Sequence, residues 1–286
     1  MVKGEIYALS AAVCWSLASI FYKKGIRVGA IPAVLIRTFF AMIFLLVLYL
    51  TIRGAYFNFT LIGFTFLNIG GVLRLILGGS AYMKGLENIS VSRFVPVLFT
   101  FPLITILLSA LLLNENIHAE VVVGTTLIVS GVWILSKGKN TENEKNIKAG
   151  VLLAILAAFL YSFSIVATKT GLNYVDPFQS SLISMPIPLV LLYLVYSVNN
   201  DPKAIFRLRK IDYILLGIGG ILGMGLGSYF FFVSMTYIGA AKATSLASIT
   251  PFLSGMLALV TLKERINPKL IIGTCSTVGG VWVILS

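Results

Sequence analysis

The chain has 286 residues, of which 58% are hydrophobic and 11% charged, with a net charge of +12; its mean hydropathy is +0.98. So few polar groups cannot cover the chain in water, which excludes a soluble enzyme and places it in lipid. The basic residues sit in short connectors between apolar runs, where they meet lipid headgroups and set orientation, so the charge does not signal nucleic acid.

A bilayer crossing needs about 20 mostly apolar residues. Runs of that kind cover 5–22, 32–52, 61–83, 91–113 and 119–136, then 149–168, 178–198, 211–237, 242–262 and 269–286. The first run has no small-residue cleavage site and leads into further spans, so it reads as a retained helix, not a signal peptide. Pro96 and Pro102 fall in the fourth run, Pro186 and Pro188 in the seventh and Pro251 in the ninth. Each proline removes a backbone hydrogen bond and marks an expected bend. In the eighth run Gly219, Gly223 and Gly227 recur every four residues, a smooth face for close helix packing. One long polar connector, Lys137 to Lys148, divides the ten runs into two sets of five.

The two sets are copies. Ala11-Ala12-Val13-Cys14-Trp15-Ser16, followed by Lys23-Lys24-Gly25, meets Ala157-Ala158-Phe159-Leu160-Tyr161-Ser162 and Lys169-Thr170-Gly171 at an offset of 146 residues. Further on, Glu115, Gly124, Thr125, Gly131 and Trp133 meet Glu264, Gly273, Thr274, Gly280 and Trp282 at an offset of 149, and Pro102 meets Pro251. Five crossings per copy is an odd number, so the copies must lie upside down relative to each other. The expected fold is all-α and polytopic: ten transmembrane helices as two inverted five-helix repeats, residues 1–138 and 148–286, joined by a polar linker at 139–147. The basic residues agree. Loops after odd-numbered spans are rich in Lys and Arg, whereas the other face holds only Lys3, Arg53 and Lys169, and the bias reverses between copies as inversion requires. Taken alone it puts both termini on the non-cytoplasmic face.

An ionisable group inside a span is costly and faces a cavity or a partner. Arg74 lies near the middle of the third span, too far from either flank to snorkel, and its counterpart in the second copy is Gly223. It can grip a carboxylate or phosphate bidentately, or lock the bundle through carbonyl contacts; both readings stand. Arg37 lies a few residues into the second span and reads as a snorkelling, structural arginine; Arg93 and Lys242 read as interface anchors. All ten acids fall at span ends or in loops, and the sole histidine, His118, sits in a connector. The carboxylate deep in the membrane that proton-driven carriers use is therefore not evident, which favours uniport or exchange. Glu115 and Glu264 end the fourth and ninth runs and read as latches that accept hydrogen bonds from neighbouring helix ends. Aromatic side chains with a polar tip suit a cavity for amphipathic solutes. Trp15 and Tyr161, with Ser16 and Ser162 beside them, and Tyr82 and Tyr229 are the candidates. Trp133 and Trp282 read as interfacial belt residues.

The Trp15-Ser16 and Tyr161-Ser162 steps, and the proline in each fourth helix followed by Leu113-Asn114-Glu115 or Leu262-Lys263-Glu264, resemble the EamA-type carriers of the drug/metabolite transporter superfamily. The resemblance covers nearly the whole chain. It implies a multi-pass protein of a prokaryotic cell membrane, with a cavity lined by spans 1, 3, 4, 6, 8 and 9 and alternating access by rocking. It also implies cytoplasmic termini, opposite to the charge bias, so sidedness stays open. The expected function is movement of a small amphipathic or anionic, amino acid-like metabolite, with no cofactor, metal or nucleic acid; the alternative is a lipid or polyprenyl-phosphate flippase. The expected partners are the solute and the lipid bilayer. Cys14 and Cys275 lie in apolar runs and form no disulfide framework or metal site. No cluster of nucleophile, metal ligands or paired acids faces a common space, and no carbonyl filter marks a channel. The sequence carries no signal for oligomeric state.

Overall fold

Apolar runs this long must satisfy their backbone groups internally, and the computed structural model is helical throughout, with no strand among the described residues. Residues 2–25, 28–54, 57, 60–89, 91–136, 146–262 and 268–286 are described. α1 is Val2–Gly25, α2 Ala30–Arg53 and α3 Leu61–Val72. A π-helical segment, Leu73–Gly78, joins α3 to α4, Gly79–Asn88; α5 (Val91–Leu98), α6 (Phe101–Leu112) and α7 (Ala119–Ser136) follow. Then come α8 (Ile147–Leu172), α9 (Pro177–Ile183), α10 (Pro186–Asn199) and a 3-10 turn, Pro202–Arg207. α11 (Lys210–Gly220), a second π-helical segment (Ile221–Gly227) and α12 (Ser228–Ala247) form one run, followed by α13 (Thr250–Leu262) and α14 (Pro268–Leu285). Six stretches are long and apolar enough to cross a membrane: Lys3–Tyr22, Ala30–Arg53, Leu61–Gly85, Ile147–Leu172, Pro177–Val198 and Lys210–Ala247. Shorter apolar helices cover Phe101–Leu112, Ala119–Leu135 and Ile272–Leu285. Arg27, connector residues 137–145, Lys263, Glu264, Arg265 and Ile266 lie outside the described residues.

The helices differ from the expected spans where the backbone breaks. The fourth run divides into α5 and α6 at a turn over Phe99–Thr100, and Pro102 falls at the start of α6, where its missing N–H leaves no bond unmade. The ninth run begins inside α12, which leaves helical geometry at Gly239 (φ 78°, ψ 168°), and turns again at Ser248–Ile249 before α13. The seventh divides into α9 and α10 at Ser184–Met185, because Pro186 and Pro188 have no N–H to continue the helical hydrogen bonds. Two of these breaks stand 149 residues apart: α5 ends at Leu98 and α12 at Ala247, while α6 starts at Phe101 and α13 at Thr250.

Small residues set how closely the helices approach. α1 packs along α12 and the second π segment, and α8 packs along α3, α4 and the first. α7 and α14 meet almost backbone to backbone: a Cβ on Gly131 would stand 2.7 Å from the Gly273 carbonyl oxygen. Large apolar side chains such as Leu61, Leu111, Leu152 and Val198 point outward and are exposed. Water does not tolerate a surface of this kind, and lipid requires it. Trp282, 71% exposed, also points outward.

Candidate functional site

A cavity of about 730 Å³ opens between the helices. That is the size of pockets that enclose a small metabolite. Its walls come from α1, α2, the first π segment, α4, α8, α10, α11, the second π segment and α12, together with the two helix breaks, which contribute Phe99 and Phe101 on one side and Ser248 and Thr250 on the other. The walls are mostly apolar and aromatic. Arg37, Arg74 and Lys84 are the cations, and no carboxylate lines the cavity among the described residues.

Arg74 is placed by the π segment. A π turn accommodates an extra residue in the helix and shifts the side chains on it, a distortion frequent at functional sites. Here the Gly79 N–H reaches back to the Arg74 carbonyl. The Arg74 side chain lines the cavity, and its Nε is buried with no hydrogen-bond partner. The ion pairs found among the described residues do not include it. Tyr161 on α8 and Tyr82 on α4 line the same cavity. Tyr82 stands edge-on to Phe94 at 5.2 Å, and Tyr161 edge-on to Phe101 at 6.3 Å. Both rings are thus held by packing, which leaves their hydroxyls to a solute. Trp15 on α1 also faces the cavity, but its Nε1 donates to the Gly223 carbonyl at 2.9 Å, so it offers an aromatic face and not a free donor.

Three expected site residues are elsewhere. Ser16 and Ser162 are fully buried and line no part of the cavity. The Ser162 hydroxyl donates to Phe101 O at 2.9 Å and the Ser16 hydroxyl to Thr250 O at 3.2 Å, so each braces a helix break that faces the cavity. Each hydroxyl is shared with the carbonyl four residues back in its own helix, Ala158 O at 2.9 Å and Ala12 O at 2.7 Å. Tyr229 packs on Phe178 and Phe230, at 5.3 and 5.7 Å, and is not in the cavity wall. Conversely, Arg37 is in the wall although its place in the sequence suggested snorkelling. Its guanidinium lies 4.7 Å from the centre of the Tyr22 ring, and its Nε is buried without a partner. The signal was available: Ala30, Ala33, Val34 and Arg37 all line the cavity and follow the i, i+3, i+4, i+7 spacing of one helix stripe.

Charged residues beyond the cavity hold the break in α12. Glu115 accepts from the N–H groups of Ala240 and Ala241, at 2.6 and 3.0 Å, as the latch reading expects. Lys169, grouped from the sequence with loop cations, instead lies within α8 and donates through Nζ to Met235 O at 2.8 Å. An anion thus meets the exposed N–H groups after Gly239 and a cation the exposed carbonyl before it, each matched to the local dipole. Lys242, read as an interface anchor, pairs with Glu5 at 2.9 Å. No group of His, Cys, Asp and Glu able to hold a metal occurs among the described residues.

Comparison with known proteins agrees on the class. An uncharacterized transporter of Archaeoglobus fulgidus is 26% identical over 94% of this chain and 92% of its own. The glucose uptake protein of Staphylococcus xylosus is 26% identical over 94% of this chain and 91% of its own. A solved crystal structure at 18% identity superposes with a TM-score of 0.81 over 99% of this chain and 98% of that one, a match of fold alone. These names point to transport and not to enzymatic chemistry. The sequence profile of the EamA-like transporter family matches residues 2–137 and again 148–286. The chain is a multi-pass membrane transporter and belongs to the EamA-like transporter family.

Proposed function

We propose that this transporter carries a small organic anion with an apolar or aromatic body across the cell membrane by alternating access, as a uniporter or exchanger. Arg74 grips the anionic group, the Tyr82 and Tyr161 hydroxyls bond neighbouring polar atoms, and Trp15 packs against the apolar body. The observation that carries this reading is a guanidinium whose Nε is buried without a partner, in a cavity with no described carboxylate. Desolvating such a charge is costly unless a counter-charge arrives, and a bound anion supplies one.

The moving parts are two inverted five-helix copies, 1–138 and 148–286, giving ten crossings. This reading is supported by the sequence offsets, by the family profile matching twice, and by two π segments that end 149 residues apart. It is further supported by crossed bracing, in which Ser16 secures the break at Thr250 and Ser162 the break at Phe101. Broken helices beside a central site are how carriers combine a binding cavity with rocking blocks. The cavity has no described carboxylate to load and release a proton, which supports uniport or exchange.

Uptake of radiolabelled amino acids, monocarboxylates and glucose by proteoliposomes, with and without a pH gradient, tests the reading. The expected result is saturable anion uptake that survives collapse of the gradient. Glucose serves as the neutral comparator because one relative is named for its uptake. Uptake of glucose alone, or translocation of labelled lipid without solute uptake, would overturn the reading.

A further inference from the structure

We propose that Arg37 joins Arg74 in a two-cation clamp, so that the cavity selects small dianions over monoanions of the same size. The clamp rests on the anion-carrier reading above and narrows its substrate class to dicarboxylates or phosphomonoesters. The two guanidiniums line one cavity. Each has a buried Nε without a partner.

Arg37 is held in place from three sides. The ring beneath it belongs to Tyr22, whose hydroxyl is tied to Gly219 O at 2.7 Å. Its own carbonyl packs directly on Gly220, where a Cβ would collide with it, so α2 lies close against α11 at this point. Its stripe of α2 is turned to the cavity by Ala30, Ala33 and Val34.

Two like charges in an apolar enclosure repel, and neither has a described acidic neighbour in the cavity wall. A monoanion neutralises one and leaves the other exposed to the same penalty. A dianion satisfies both, and two planar guanidinium forks suit carboxylate or phosphate oxygens placed at separate ends of one small molecule. Stacking on Tyr22 accounts for the position of the Arg37 head but supplies no counter-charge.

Competition and uptake in proteoliposomes of the full chain test the clamp, with succinate and glycerol 3-phosphate as dianionic probes and succinamate as the matched monoanion. The wild-type chain is expected to half-saturate with at least one dianion at a concentration at least about 10-fold below that for succinamate, a preference of the size one added charge pair gives. Whichever dianion wins tells carboxylate from phosphate recognition. Arg37→Gln is expected to lower dianion uptake on the order of 100-fold and succinamate uptake less than about 10-fold, collapsing the preference. Arg37→Lys, which keeps the charge and loses the fork, should fall between, and it carries the test if Arg37→Gln is not monodisperse. Equal loss of both uptakes in a monodisperse variant, or a wild-type chain that favours succinamate, overturns the clamp and leaves the anion carrier standing. A wild-type chain that takes up no anion at all overturns both.

Discussion

The segments Leu73–Gly78 and Ile221–Gly227 are both π-helical and end 149 residues apart, yet they are used differently. In the first, Arg74 lines the cavity with its Nε buried and without a partner. In the second, the matching position is Gly223, whose carbonyl accepts from Trp15 and against which Tyr22 and Ala18 pack so closely that a Cβ would stand 2.5 and 3.0 Å from them. Each segment ends in a glycine pressed on an aromatic of a neighbouring helix: Gly78 on the Tyr161 ring of α8 and Gly227 on Trp15 of α1, where a Cβ would lie 2.6 and 2.7 Å away. One distortion of the helix thus serves solute chemistry in one place and helix packing in the other. A scaffold element can be duplicated with its geometry intact while only one copy carries the charge.

Substitutions in the two segments should break that comparison in different ways. The largest effect is expected from Arg74→Gln, which removes a desolvated charged partner; loss of such a partner costs about 2–5 kcal/mol, so anion uptake should fall on the order of 100-fold, while size-exclusion chromatography still shows a monodisperse protein. If Arg74 instead locks the bundle, the same variant aggregates. Next comes Gly223→Ala, where a methyl must displace the Tyr22 hydroxyl and Ala18; overpacking of this kind costs about 1–3 kcal/mol, read as a lowered thermal midpoint in detergent. Trp15→Phe leaves the Gly223 carbonyl without its side-chain donor and should cost about 1 kcal/mol by the same measurement. The smallest effect is expected at Gly79, just after the first segment, where a Cβ meets only the Arg74 carbonyl at 3.8 Å. There Gly79→Ala should leave the thermal midpoint unchanged or raise it, by up to about 1 kcal/mol of helix propensity.

The membrane class and the Arg74 position were readable because both follow from cost: apolar runs need lipid, and a mid-span charge needs a reason. Repetition also picked out Ser16 and Ser162 as a matched pair but could not tell a cavity wall from a brace. Their role depends on turns at Phe99–Thr100 and Ser248–Ile249, which periodicity does not reveal because both sides of each turn are equally apolar. Tyr229 misled because an aromatic with a hydroxyl looks the same facing a cavity or facing Phe178. Arg37 was passed over because its nearness to the start of α2 suggested an interfacial charge. It stands seven residues beyond Ala30, about 10 Å along the axis, where packing and not depth decides which way it faces.

Direct binding of the transported anion to purified protein, by isothermal titration of the wild-type chain and of Arg74→Gln, isolates the role of the buried charge from the later steps of transport. Saturable binding by the wild type, weakened on the order of 100-fold in a variant that keeps its thermal midpoint within a few degrees, is the expected result. Equal binding by the two proteins would contradict it and leave Arg74 a packing residue.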